Sequence, residues 1–178
     1  MKEVLIPGIL LASILGWTGW QKLNGDIYKN KILFPDTAVV GIVEDGDTLE
    51  LVNGRRVRLI GINAPDRGEK GYEEAKKRLS DEVIKKKIYL EYDRYQDDKS
   101  GRILAWVWLS CINPKFTDPN YMRLSFNRSR KGLINNPKGC EKGKLVQEEL
   151  IKSGNAVVEV YKDRGELKYE ERLRLQQH

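Results

Sequence analysis

Two adjacent residues, Asn53-Gly54, constrain this chain more than any other local feature. An Asn-Gly pair adopts the successive positive φ angles of a type I′ turn at low cost, and that turn twists in the same sense as the strands it joins. The flanking runs are strand-like: Thr48 to Val52 before the turn, and Arg55 to Ile62 after it. The second run, RRVRLIGI, alternates polar and apolar residues, placing Arg56 and Arg58 on one face and Val57 and Leu59 on the other. A third β-type run, Thr37 to Val43, joins through the acidic turn Glu44-Asp45-Gly46-Asp47. A three-stranded meander is therefore expected here.

The period then changes. Between Gly71 and Lys86, Tyr72, Ala75, Leu79 and Val83 recur at helical spacing with charges elsewhere, which predicts an amphipathic helix packed across the meander. Ile88 to Tyr92 and Ile103 to Leu109 read as two further strands, linked by the polar tip Gln96 to Arg102. Five strands with an inserted helix fit a partly open, five-stranded Greek-key barrel of the OB-fold type, whose sheet face binds oligonucleotides. Two more helices are predicted, at Lys144 to Lys152 with Leu145, Val146, Leu150 and Ile151 inward and Gly154 as its stop, and at Glu166 to Gln176. Ala156 to Tyr161 is a short apolar segment, and 111–143 reads as an insertion rich in turn and basic residues.

Val4 to Trp20 carries no charge and follows Met1, Lys2 and Glu3, so residues 1–22 read as a signal peptide or an N-terminal hydrophobic anchor helix. A buried core helix is a weaker reading, because the segment lacks a polar face. A polar linker, 23–36, leads into one domain, 37–178. Lys22, Lys29 and Lys31 outnumber Lys2, which by the positive-inside rule favours a cytoplasmic domain. Cys111 and Cys140 favour the outside if they pair, and read equally well as two buried thiols. The expectation adopted is a membrane-anchored or secreted domain outside the cytoplasm.

The only histidine is the terminal His178, which excludes chemistry built on a buried imidazole: serine triads, histidine-paired thiols and His/Cys zinc sites. Catalysis must rest on carboxylates, arginines, lysines, tyrosines or a hard metal ion. Lysine and arginine number 32 against 26 acidic residues, and this +6 surplus favours a polyanionic partner.

The residues able to do such chemistry cluster in Asp45-Gly46-Asp47-Thr48, in Arg58 to Asp66 (RLIGINAPD) and in Asp98-Lys99-Ser100-Gly101-Arg102. Alone, each has a plain reading: a turn, a solvated strand arginine, a hairpin cap. Together with GYEEAK at the helix start and LAWVW after DKSGR, in this order, they make the chain resemble the staphylococcal thermonuclease-like family.

The resemblance implies a nuclease that hydrolyses phosphodiester bonds of DNA and RNA with calcium and little sequence specificity. It assigns Asp47 and the Ala64 carbonyl as Ca²⁺ ligands, with Asp45 behind them, and Arg58 and Arg102 as the arginines that grip phosphate. Asn63 stands where the family pattern has an aspartate ligand, and Asp66 where it has the glutamate that serves the attacking water. An asparagine oxygen carries no charge, so calcium affinity is expected near the roughly 10⁻⁴ to 10⁻³ M class of extracellular modules. Asp66 is one methylene shorter than glutamate, which withdraws its carboxylate by about a bond length unless the loop shifts, or unless Asp66 itself ligates the metal. Lys99 is a candidate phosphate contact and Tyr161 a candidate base-stacking surface. The alternative is a weakened module of the same fold that binds nucleic acid or protein without cutting.

Overall fold

The computed structural model describes residues 22, 33–93, 95–116, 134–161 and 167–177. The leader, most of the linker, the centre of the insertion and the start of the last expected helix lie outside these residues. The chain divides into two units, Met1–Pro35 and Asp36–His178, and the strands of the expected barrel all lie in the second.

The meander forms as its alternation demands. Strands β1 (Thr37–Val43), β2 (Thr48–Leu51) and β3 (Arg56–Leu59) pair antiparallel in sequence, with Val43 opposite Leu49 and Leu49 opposite Val57. The Arg55–Ile62 run is not one strand, however. It breaks at Ile60-Gly61, and β4 (Ile62–Asn63) leaves the sheet. Gly61 has φ 82°, and a Cβ there would lie 2.7 Å from the Trp106 ring, so the chain can turn against the indole only at a glycine. Apolar, strand-compatible residues flank Gly61 on both sides (Leu59, Ile60 and Ile62), so composition alone does not reveal the turn.

Helix α1 (Tyr72–Val83) follows, and Tyr72, Ala75, Leu79 and Val83 are its buried residues, as the spacing predicts. Glu73 and Glu74 in its first turn complement the positive end of the helix dipole. Strand β5 (Lys87–Glu91) then pairs with β1, Ala38 facing Ile88.

Strand β6 (Ile103–Leu109) closes the barrel by dividing itself between two partners. Its second half runs antiparallel to β5 (Leu90 opposite Val107), and its first half runs parallel to β3 (Arg58 opposite Leu104). All seven β6 residues are buried, as a strand covered on both faces requires. The ring β1-β2-β3-β6-β5 is the five-stranded barrel expected from the strand pattern. Where β6 changes partners, the buried Gln147 amide completes the ladder, donating to the Ala105 carbonyl (2.9 Å) and accepting from the Val107 N–H (3.1 Å).

Gln147 belongs to α2 (Val146–Lys152), which is shorter than the expected Lys144 start because β7 (Lys144–Leu145) first pairs with the end of β6. The expected Leu145, Val146, Leu150 and Ile151 are all buried, and Gln147 and Glu148 are buried with them. Strand β8 (Val157–Val158) pairs with β4, and α3 (Glu170–Arg174) is five residues of helix, shorter at both ends than the expected Glu166 to Gln176 because residues 168–169 and 175–176 form turns. Cys111 and Cys140 form a disulfide that closes the base of the insertion over a sequence separation of 29, which settles the two readings of the pair. A loop of this length contributes about 3 to 4 kcal/mol on the chain-entropy account.

The C-terminal segment is held by a buried polar cluster. Trp108 and Tyr169 both donate to Glu91 Oε2 (2.8 and 2.9 Å), Trp106 donates to Asp93 Oδ2 (3.0 Å), and the Lys168 N–H donates to the same Asp93 oxygen (2.6 Å). Lys168 Nζ forms an ion pair with Glu91 Oε1. Burial, with Glu91 alongside, pushes the Tyr169 hydroxyl far above its ordinary value, so it remains a donor. Breaking one member strands a buried charge. Lys168→Met is expected to lower stability by about 3 to 5 kcal/mol, read as a shift of the urea unfolding midpoint at pH 7.

Candidate functional site

The acidic turn between β1 and β2 is pinned from several sides. Asp45 Oδ1 accepts the Asp47 N–H (3.1 Å), a local bond that shapes the turn. Asp47 is buried; its Oδ1 accepts the Thr48 hydroxyl (3.2 Å) and its Oδ2 the Ala64 N–H (2.8 Å). Its carbonyl accepts the Leu59 N–H (2.8 Å), so the turn is bound to both ends of the β3–β4 segment. Gly46 is required for close approach: a Cβ there would lie 2.6 Å from Ala64 Cβ and 2.7 Å from Ala75 Cβ, with no room for either neighbour to give. Helix α1 is thus packed directly on the turn.

Arg58 lies at the centre of the oxygens this arrangement gathers. Its Nη2 donates to Asn63 Oδ1 (2.9 Å) and lies 3.7 Å from Glu159 Oε2, and its Nη1 forms an ion pair with Asp47 Oδ2. That Nη1 is buried, so Asp47 is its charge partner in a site closed to water. Burial pulls the guanidinium below its ordinary pKa; Glu159 opposes this, and the like charge of Arg102 reinforces it. An arginine so shifted still carries its charge at neutral pH.

Arg102 comes from the neighbouring strand. The parallel register sets Val57 opposite Ile103, which brings Arg102 to the same end of the barrel as β3's arginines. Asp98 holds it: Asp98 Oδ2 accepts Arg102 Nε (2.6 Å), and Oδ1 accepts the N–H groups of Arg102 (3.0 Å) and Ser100 (2.8 Å). Partial burial tends to raise the Asp98 pKa, but these bonds and the Arg102 charge outweigh it and hold the carboxyl below its usual range. Lys99, Ser100, Arg102 and Tyr95 line a cleft along this hairpin tip.

The other expected residues are placed less tightly. Asp66 is exposed; its N–H donates to Glu69 Oε2 (2.8 Å), and its carboxylate makes no ion pair among the described residues. Lys99 is exposed at the tip, and the Tyr161 hydroxyl donates to Glu159 Oε2 (2.9 Å). Glu159 is not among the residues that the motifs single out. A signal is present, since it is the one charge in the run Ala156 to Tyr161, but only the β4–β8 pairing (Asn63 opposite Val157) and the Glu159 N–H bond to the Gly61 carbonyl (3.0 Å) bring it to Arg58.

A family model described as "Staphylococcal nuclease homologue" matches residues 56–178. The chain belongs to this family. It is 31% identical over 144 residues to a protein named Thermonuclease from Staphylococcus intermedius, covering 71% of this chain and 83% of that one. A Thermonuclease from Staphylococcus hyicus is 31% identical over 101 residues, 48% of this chain and 57% of its own length. Protein ParB of Escherichia coli is 25% identical over 104 residues, 57% of this chain and half of that one.

The calcium that the family resemblance implies would meet oxygen donors only, as a hard cation requires. Asp47 Oδ2 and Asn63 Oδ1 already converge on one positive group, the Arg58 guanidinium, and Ala64 is tied to Asp47 through its backbone. Among the described residues no three His, Cys, Asp or Glu side chains gather as a metal-holding group. Asp47 is the one carboxylate of the expected set, so a cation held there would rest on it and on the neutral oxygens of Asn63 and Ala64. Packing at Gly46 sets the relation of Asp47 to Ala64 in this nuclease-family fold. Gly46→Ala is expected to force them apart, lowering stability by about 1 to 3 kcal/mol in thermal or urea unfolding.

Proposed function

We propose that this protein is a calcium-dependent nuclease that hydrolyses phosphodiester bonds in DNA and RNA with low sequence specificity. The observation that carries the reading is the gathering of Asp47, Asn63 and Arg58 at one end of the barrel, with Arg102 delivered beside them by the β3–β6 pairing. Phosphodiester hydrolysis needs positive charge at oxygens that become more negative in the transition state, and a group to take a proton from water. Arg58 and Arg102 supply paired, permanently charged donors to the phosphate, and Asp98 holds Arg102 in orientation. Asp47, Asn63 and the Ala64 carbonyl would hold Ca²⁺, which when bound supplies further positive charge to the phosphate oxygens. Asp66, one residue beyond Ala64-Pro65 and without an ion pair among the described residues, is the candidate to orient or deprotonate the attacking water. Lys99 and Tyr161 extend the substrate contacts along the cleft and β8.

The Cys111–Cys140 disulfide and the hydrophobic leader support a membrane-anchored or exported domain working outside the cytoplasm. A weakly charged calcium site suits a compartment of millimolar calcium. A second reading, a module that binds nucleic acid or protein without cutting, is favoured by the neutral Asn63 and by the exposed position of Asp66.

Cleavage of single-stranded DNA by the full chain in detergent, with millimolar calcium or EGTA, separates these. The nuclease reading expects cutting only with calcium, and a loss on the order of 100- to 1000-fold in kcat for Arg58→Ala or Arg102→Ala. Asp66→Asn is expected to cost about 100-fold or more, and unchanged turnover removes Asp66 from the mechanism. Tight binding with no cutting at any calcium level establishes the second reading.

A further inference from the structure

We propose that Glu159 is a placeholder for the substrate phosphate: its carboxylate stands beside the Arg58 Nη2 edge in the free protein, adding to the balance Asp47 supplies, and is exchanged for the phosphate when nucleic acid binds. The inference rests on the nuclease reading and concerns how its substrate-binding step is set.

A nearly buried guanidinium needs an anion beside it at all times, because desolvation of an uncompensated charge is costly. The Arg58 side chain is only 11% exposed, and three oxygens surround it. Two of these belong to the framework. Asp47 is buried and bonded to the Ala64 N–H and the Thr48 hydroxyl, and Asn63, just beyond the turn that ends β3, accepts from Nη2 at hydrogen-bond distance. Glu159 is held less closely than either: it follows β8, and it stands 3.7 Å from Nη2, beyond a hydrogen bond, with its side chain 35% exposed against the buried Asp47. Of the three it is the one able to leave without dismantling the turn.

A carboxylate and a phosphate offer the same thing to an arginine, a pair of anionic oxygens. Both cannot occupy the Nη2 edge, because two anions at that separation repel strongly in a partly buried site. Substrate entry therefore requires Glu159 to swing toward solvent. The backbone does not need to move with it, since the Glu159 N–H remains on the Gly61 carbonyl (3.0 Å). The Tyr161 hydroxyl donates to Glu159 Oε2 in the free protein (2.9 Å), a bond that ends when Glu159 swings away. Glu159 thereby lowers affinity for substrate and for product alike, which favours release after cutting. It acts through Arg58 and is a positioning residue, not a catalytic one.

The test is binding of a fluorescein-labelled oligothymidylate to the full chain in detergent, by anisotropy with EGTA present to prevent cutting, alongside steady-state kinetics with calcium. Glu159→Gln keeps the shape and removes the charge. It is expected to tighten binding by roughly three- to fivefold, the scale of a partly exposed ion pair, and to lower KM with kcat unchanged or reduced. In an Arg58→Ala background the same substitution is expected to tighten binding much less, because the exchange partner is gone. Equal or weaker binding by Glu159→Gln overturns the proposal. So does an equal tightening with and without Arg58, which would mean that Glu159 merely repels the polyanion. If Arg58→Ala alone binds and cuts like the unmodified protein, the reading of Arg58 as the phosphate-gripping arginine fails and takes the exchange with it.

Discussion

The partner change along β6 is the constraint on which the rest of this structure depends. One seven-residue strand must satisfy β3 in parallel with its first half and β5 antiparallel with its second, and no regular ladder spans the switch. The Gln147 amide fills the gap at Ala105 and Val107, so a side chain from a helix about forty residues away completes the barrel's backbone bonding. From that closure everything else takes its place. Trp106 and Trp108 present their indole N–H groups to Asp93 and Glu91, and those carboxylates hold the C-terminal segment through Lys168 and Tyr169. At the other end of the same strand, Arg102 arrives beside β3's arginines.

Charge balance governs the site as closely as packing does. Arg58 is desolvated by the barrel and balanced by Asp47, with Glu159 offsetting part of the loss; Arg102 is held by Asp98 from its own hairpin. The two arginines oppose each other, a repulsion that an incoming polyanion relieves. Positive groups are kept close together, each with a local carboxylate, and under the proposed function a phosphodiester substrate would bring charge enough for both.

Much of the fold is legible in order along the chain. The Asn53-Gly54 turn, the alternation of the meander and the four buried positions of α1 follow from local periodicities of two and 3.6 residues, which need no knowledge of partners. Gly61 is not legible as a break, because its necessity comes from the Trp106 ring forty-five positions on, and Gly46 reads as a turn residue when its cause is contact with Ala64 and Ala75. The start of α2 departs from its helical spacing for a related reason. Lys144 and Leu145 fit a helix locally, but the free end of β6 claims them as a strand.

The same division holds at the site. Motif order in the sequence determined the family resemblance and the cast of charged residues, since a lone terminal histidine leaves only carboxylates, arginines and a hard cation for the work. Side-chain chemistry is a property of each residue and is read without coordinates. Which of those residues meet was decided by tertiary structure alone. Glu159 is one charge in an apolar run until β8 pairs with β4 and sets it against Arg58, while Asp66, two residues from Ala64, stays out in solvent. Adjacency in a folded chain is fixed by strand pairing over long separations, and no local pattern encodes it.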